Sequence, residues 1–184
     1  MTKVGVLVGS LRKESYSKKL AKNVMGYFPE GFETELIEIG NLPFYNQDFD
    51  DENNAPEVLH EFRQKIGECD TFLFVTPEYN RSIPAVLKNA LDTASRPKTD
   101  NKWGGKPAAI ISQSPGGIGG FGANHHLRQM LTCVNVPVLQ QPEAYIGNVA
   151  TLMNESGAIT NEGTAEFLQK FVVKFVDFIK RFED

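Results

Sequence analysis

Val4-Gly5-Val6-Leu7-Val8-Gly9-Ser10 is the stretch on which the fold turns. Its apolar, largely β-branched run shows no polar alternation, which suits a strand buried on both faces at the centre of a parallel sheet, and Gly9-Ser10 ends it. From about Ser15 onward, Tyr16, Leu20, Val24 and Phe28 recur at helical spacing with Lys18, Lys19 and Lys22 on the other side, until Pro29 and Gly31 break the pattern. A buried strand feeding a crossover helix is the repeating unit of an α/β sheet.

The rest of the chain repeats that unit. Glu33 to Ile39 alternates apolar and charged residues as an edge strand does, Leu42 to Ala55 reads as a long acidic loop, and Pro56 through Cys69 sets Val58, Leu59, Phe62, Ile66 and Cys69 on one helical face. Thr71 to Thr76 is a second fully apolar strand, stopped by Pro77; a helix follows from near Pro84 with Ile83, Val86, Leu87, Ala90, Leu91 and Ala94 at steps of three and four. Ala108 to Ile111 is the next buried strand, followed by the glycine-rich Gln113 to Gly122, a helix across His125 to Cys133 and a final strand near Val136 to Leu139. The last helix carries Phe167, Leu168, Phe171, Val172, Phe175, Phe178, Ile179 and Phe182 as a broad stripe for the sheet. Five strands alternating with helices predict an α/β doubly wound five-stranded parallel sheet of order 2-1-3-4-5, with helices on both faces. In that order ligands bind outside the carboxyl ends of the strands where the order reverses, so the loops after Val8, Val75 and Ile111 are the expected site.

Composition narrows the function classes. A chain of 184 residues accounts for one domain, 1–184. No long uncharged apolar run marks a signal peptide or membrane helix, so the expected compartment is the cytoplasm. Cys69 and Cys133 form no C-x-x-C pair and read as buried structural thiols, so redox chemistry would need a cofactor. A net charge of −4 and the lack of a Lys/Arg-rich run argue against nucleic acid and favour a compact, mostly neutral partner. His60, His125 and His126 lack ligand spacing, so no metal is expected, and no G-x-S-x-G elbow supports a nucleophilic triad.

Three loops carry the remaining signal. Gly9 to Ser17 leads straight into the first helix, whose N-terminal amides, with the hydroxyls of Ser10, Ser15 and Ser17 and the fork of Arg12, could ligate a phosphomonoester. Ser15 reads equally as an ordinary N-cap, and Arg12 as a solvated charge. Pro77-Glu78-Tyr79-Asn80-Arg81-Ser82-Ile83-Pro84 suits a planar ring, its backbone amides bonding the ring edge and Tyr79 lying along it; the plainer alternative is a tight loop with Tyr79 covering the helix below. Ser112 to Gly122 contains a literal G-x-G-x-x-G from Gly117, but a dinucleotide fingerprint normally opens the first βα unit, which here offers a different loop. Its glycines instead let backbone approach a ring edge, with Ser114 donating to it.

Gly9-Ser10-Leu11-Arg12 with Ser15, Pro77-Glu78-Tyr79-Asn80 with Ser82, Pro84, Lys88, Asn89, Ala90 and Asp92, and Gly105-Lys106-Pro107 resemble the NADPH-dependent FMN reductase family over about Lys3 to Glu143. That family is flavodoxin-like and includes broad quinone, azo-dye and chromate reductases. The resemblance implies FMN as cofactor, with phosphate contacts at Ser10, Arg12, Ser15, Tyr16 and Ser17, ring contacts at Pro77, Glu78, Tyr79 and Asn80, and flanking contacts at Arg81, Ser114 and Gly117. It implies NADPH or NADH as donor, a small flat acceptor, no catalytic side chain beyond the flavin, and a homodimer. Some relatives form tetramers through an Arg, a Tyr and a Glu. Glu143 remains here, but Gly122 and His125 stand at the other two places, which leaves that larger assembly open. On this reading hydride passes from nicotinamide C4 to flavin N5 while the protein orients the partners and excludes water. The alternatives are a flavodoxin-type electron carrier, against which the Arg12 loop and modest acidity count, and a flavin-binding sensor module.

Overall fold

The computed structural model describes residues 1–183; Asp184 lies outside the described residues. Strands β1 (Thr2–Val8), β2 (Phe32–Ile37), β3 (Thr71–Pro77), β4 (Ala108–Gln113) and β5 (Ala144–Ile146) form one parallel sheet in the order β2-β1-β3-β4-β5. This is the order expected from the sequence. The central strands are buried nearly end to end, whereas β2 at the edge alternates. The polarity pattern of each strand therefore matches its place in the sheet.

Helices α1 (Tyr16–Met25), α2 (Asp48–Asp51), α3 (Glu57–Glu68), α4 (Ala85–Ala94), α5 (Phe121–Cys133) and α6 (Glu162–Ile179) surround the sheet. Because side chains alternate along a strand, β1 sends Val4, Val6 and Val8 to one face and Leu7 to the other. The first face is covered by Leu20 and Val24 of α1 and by Leu168, Phe171, Val172 and Phe175 of α6. Phe62 and Ile66 of α3, Leu87 and Leu91 of α4, and Leu127 and Leu131 of α5 cover the second. Trp103 completes that second core, its indole N–H donating to Leu91 O at 3.0 Å and its ring 4.8 Å from that of Phe72. Among the described residues no helix is long and apolar enough to cross a membrane.

Five expectations need correction. The last strand is Ala144–Ile146 and not Val136 to Leu139. The earlier run does lie beside β4, Ala108 N donating to Pro137 O and Leu139 N to Ala108 O, both at 2.8 Å, but it makes only an isolated bridge. The ladder lapses after Leu139 and resumes past Pro142, where Ala144, Tyr145 and Ile146 meet Ile111, Ser112 and Gln113. Helix α5 begins at Phe121, a turn before the predicted start at His125, and the acidic loop contains α2. The aromatic stripe ends with α6 at Ile179, and Phe182 beyond it stays 43% exposed. Of the two thiols, only Cys69 is buried; Cys133 is exposed on the flank of α5 away from Leu127 and Leu131.

Candidate functional site

The three loops meet at the carboxyl end of the sheet. Gly9 N donates to Val75 O at 2.9 Å, and a Cβ on Gly9 would stand 2.7 Å from Thr76 Oγ1, so this close approach of β1 to β3 requires glycine. Loops one and three are joined by Gln113 Nε2, which donates to Ser17 Oγ at 2.8 Å. Loops two and three are joined by Glu78, whose Oε2 accepts from Ala123 N at 3.0 Å in the first turn of α5.

In the first loop, Ser15 is the N-cap of α1, its Oγ accepting from Lys18 N at 3.1 Å. The cap leaves the amides of Tyr16 and Ser17 with no acceptor among the described residues, at the positive end of the helix dipole. Ser10, Ser15 and Ser17 are all buried, and Arg12 is exposed with no ion pair or hydrogen bond to any described residue. Capping and anion binding are compatible, because an N-cap hydroxyl still has its own proton to give.

The second loop is a two-residue hairpin turn. Tyr79 N donates to Ser82 O and Ser82 N to Tyr79 O, both at 2.9 Å, with Asn80 at φ 50° and Arg81 at φ 66°. Two left-handed residues in succession are the signature of a type I′ turn, and Arg81 is an uncommon occupant that the surrounding bonds must hold. Glu78 supplies part of that hold: its Oε1 is 3.3 Å from Arg81 Nη1 while its Oε2 caps α5. His126 Nδ1 lies 3.0 Å from Ser82 Oγ on the other side of the turn. Tyr79 is 54% exposed, so it projects from the turn and does not cover the helix below.

Loop three is pinned from below. Ser114 N donates to Ile146 O at 3.0 Å, Asn148 N to Gly116 O at 3.2 Å and Val149 N to Ser114 O at 3.2 Å. A Cβ on Gly147 would lie 2.6 Å from Gly117 O, so the segment after β5 packs directly against this loop. The Ser114 hydroxyl donates to Gly116 O at 2.8 Å, within its own loop, and Gly117 is exposed at the loop's crest. Beside it, His125 Nε2 is 3.1 Å from the Tyr145 hydroxyl. Burial, followed by the Glu143 carboxylate beside it, pushes that phenol up to about 12.

Gln113 was not singled out from sequence. It is 4% exposed at the end of β4, and its Oε1 has no hydrogen-bond partner. The Ser17 hydroxyl can donate or accept, so either way the amide is turned one end remains orphaned. A buried amide end without a partner costs about 1–3 kcal/mol, so this one, bonded at its other end to Ser17 of the first loop, calls for a polar group of a ligand. The residues thus fit FMN on two counts: open helix amides with buried hydroxyls at one end, and an orphaned polar atom beyond them. Among the described residues no group of three or more His, Cys, Asp or Glu could hold a metal ion.

A model of the family described as NADPH-dependent FMN reductase matches residues 2–151. A quinone reductase of Pseudomonas putida is 50% identical over 177 residues, covering 96% of this chain and 94% of that protein. A 2-hydroxy-1,4-benzoquinone reductase of a Burkholderia species is 44% identical, covering 97% and 96%. Among solved structures, the flavoenzyme NAD(P)H:(acceptor) oxidoreductase FerB of Paracoccus denitrificans superposes with a TM-score of 0.91 at 44% identity, covering 98% of each chain.

Proposed function

This chain belongs to the NADPH-dependent FMN reductase family, and from that premise we propose that it draws electrons from NADPH or NADH and delivers them to a quinone-type acceptor. It is an NAD(P)H-dependent FMN reductase, an oxidoreductase rather than a bare electron carrier or sensor module. The observation that carries the site assignment is the cradle itself: the open amides of Tyr16 and Ser17 with three buried serines and an unpaired Arg12. When bound there, FMN supplies a two-electron step between a hydride donor and an acceptor.

The chain's own residues bind and orient. Ser10, Ser15, Ser17, Arg12 and the amides of α1 hold the phosphate, Gln113 takes a hydroxyl of the ligand's chain, and the Tyr79 to Ser82 turn sets the edge of the ring. Glu78 keeps that turn in place through α5, and Gly117 lets the third loop lie close without a side chain. No placed side chain moves a proton. Donor and acceptor would take the same place beside the Tyr79 to Ser82 turn, one after the other.

We further read the chain as a single domain working in the cytoplasm, and as a homodimer paired near the Pro77 to Pro84 loop. The exposed Tyr79 and the apolar Ile118 and Phe121, which are 57% and 48% exposed, support that face. Light scattering should give twice the monomer mass, and a monomer at micromolar concentration rejects the dimer. Steady-state NADPH oxidation with a naphthoquinone should give parallel double-reciprocal lines. Intersecting lines with a trapped ternary complex would place the nicotinamide in a separate site.

A further inference from the structure

The loop between β2 and α3 is held more firmly than a surface connection requires. Asn89 of α4, itself 8% exposed, clamps it on both sides of one residue: its Oδ1 accepts from Tyr45 N at 2.8 Å and its Nδ2 donates to Pro43 O at 2.9 Å. The Tyr45 hydroxyl donates to Asp50 at 2.9 Å, and Asp50 takes a two-pronged bond from Arg63 at 2.7 and 2.9 Å, while Arg63 Nε donates to Thr93 O at 2.9 Å. The residue between the two clamped positions is Phe44, 80% exposed.

A single exposed phenylalanine is ordinary. An exposed ring whose flanking backbone is fixed from below is different, because its direction is set before anything binds and little ordering entropy is lost on contact. Its position adds to this. A Cβ on Gly40 would lie 2.8 Å from Leu11 Cδ2, so the loop runs against the first site loop, and Asn89 stands on the helix that the second site loop opens. Each site loop also carries an exposed large apolar side chain, Leu11, Tyr79 and Ile118, and Phe44 adds one from a fourth loop.

We propose that Phe44 is the specificity-determining contact for the flat acceptor in the site of its own chain, with Asn89 as the positioning residue that aims it. The proposal rests on the reductase reading. Phe44 makes and breaks no bond; it offers a ring face. Asp48, Asp51 and Glu52 on the same loop are exposed and, among the described residues, none is ion-paired to Lys, Arg or His, so this wall favours an uncharged acceptor ring over an anionic acceptor.

Phe44→Ala should lower the quinone-to-ferricyanide ratio of kcat/KM about fivefold, the scale of one lost aromatic pair, because the small inorganic acceptor has no ring to stack. Phe44→Trp should restore the ratio. In that chain the added indole is exposed whereas Trp103 is fully buried, so its emission should be quenched when 1,4-naphthoquinone is added before any donor. Asn89→Ala alone should lower the ratio, and added to Phe44→Ala it should change the ratio no further. An unchanged ratio in Phe44→Ala, or absence of quenching in Phe44→Trp, overturns the proposal. Failure of the unaltered protein to oxidise NADPH with ferricyanide would instead remove the reductase reading, and the quenching experiment would still decide Phe44.

Discussion

Gln113→Met separates a ligand contact from a structural one, because the first role lowers FMN affinity and the second lowers apoprotein stability. In the ligand-free protein the substitution removes the Gln113 to Ser17 bond of 2.8 Å, a neutral contact contributing about 1 kcal/mol, and at the same time removes the orphaned amide end, which costs about 1–3 kcal/mol. The substitution also strips the buried Ser17 hydroxyl of this partner, a cost of the same size as the amide orphan it removes, so the apoprotein should keep its stability to within about 1 kcal/mol. In the FMN complex the orphan has found a partner, so the thioether forfeits that bond and leaves a ligand hydroxyl unpaired. A loss of about 2 kcal/mol corresponds to a Kd roughly 30-fold weaker. Denaturant unfolding of the apoprotein gives the first quantity, and fluorescence titration of FMN gives the second. An apoprotein destabilised by more than about 1.5 kcal/mol with an unchanged FMN Kd would refute the reasoning and make Gln113 a strut between β4 and α1.

Arg12→Ala should weaken FMN binding by about 1.5–3 kcal/mol and riboflavin binding little, as parallel titrations of the two flavins would show; equal weakening would mean that the arginine acts on the loop. Burial tends to raise the Asp50 carboxyl, but the hydrogen bonds from Arg63 and Tyr45 and the guanidinium charge outweigh it and hold Asp50 below its ordinary 3.8. The unfolded chain therefore takes up this proton first, so the pair's contribution is complete above 3.8 and is lost as pH falls through the lower folded value. The stability difference between the native chain and Asp50→Asn, followed by urea unfolding, should shrink between about pH 5 and pH 2 and stay flat above. Burial, followed by nearby acidic groups, pushes the Cys69 thiol up to about 11 against the pull of Lys106, whereas Cys133 is exposed, so a thiol reagent at neutral pH should label one cysteine in the native protein and two in denaturant.

Most of the fold was legible because burial in a parallel sheet leaves its mark residue by residue. Val4 to Val8, Thr71 to Thr76 and Ala108 to Ile111 are apolar on both faces and became β1, β3 and β4, and the alternating Glu33 to Ile39 became the edge strand β2. The fifth strand was misplaced because Val136 to Leu139 has the composition of a strand but makes only an isolated bridge to Ala108, and an apolar count does not tell a bridge from a ladder. Of the site, the loops and their hydroxyls were legible and their connections were not. Nothing local says that Glu78 reaches Ala123, or that Gln113 reaches Ser17 across 96 positions. A glutamine ending an apolar strand was the available signal for Gln113. The clamp on Phe44 left no such signal, since it depends on Asn89 lying beneath a loop 45 residues away.

The most direct test of the account is an anaerobic titration of the FMN-loaded protein. One equivalent of NADPH or NADH should bleach the oxidised-flavin absorption, and one equivalent of a naphthoquinone added afterwards should restore it without loss of FMN from the protein. A bound flavin that stays oxidised with both nucleotides, or that is reduced but not reoxidised by the quinone, would contradict it.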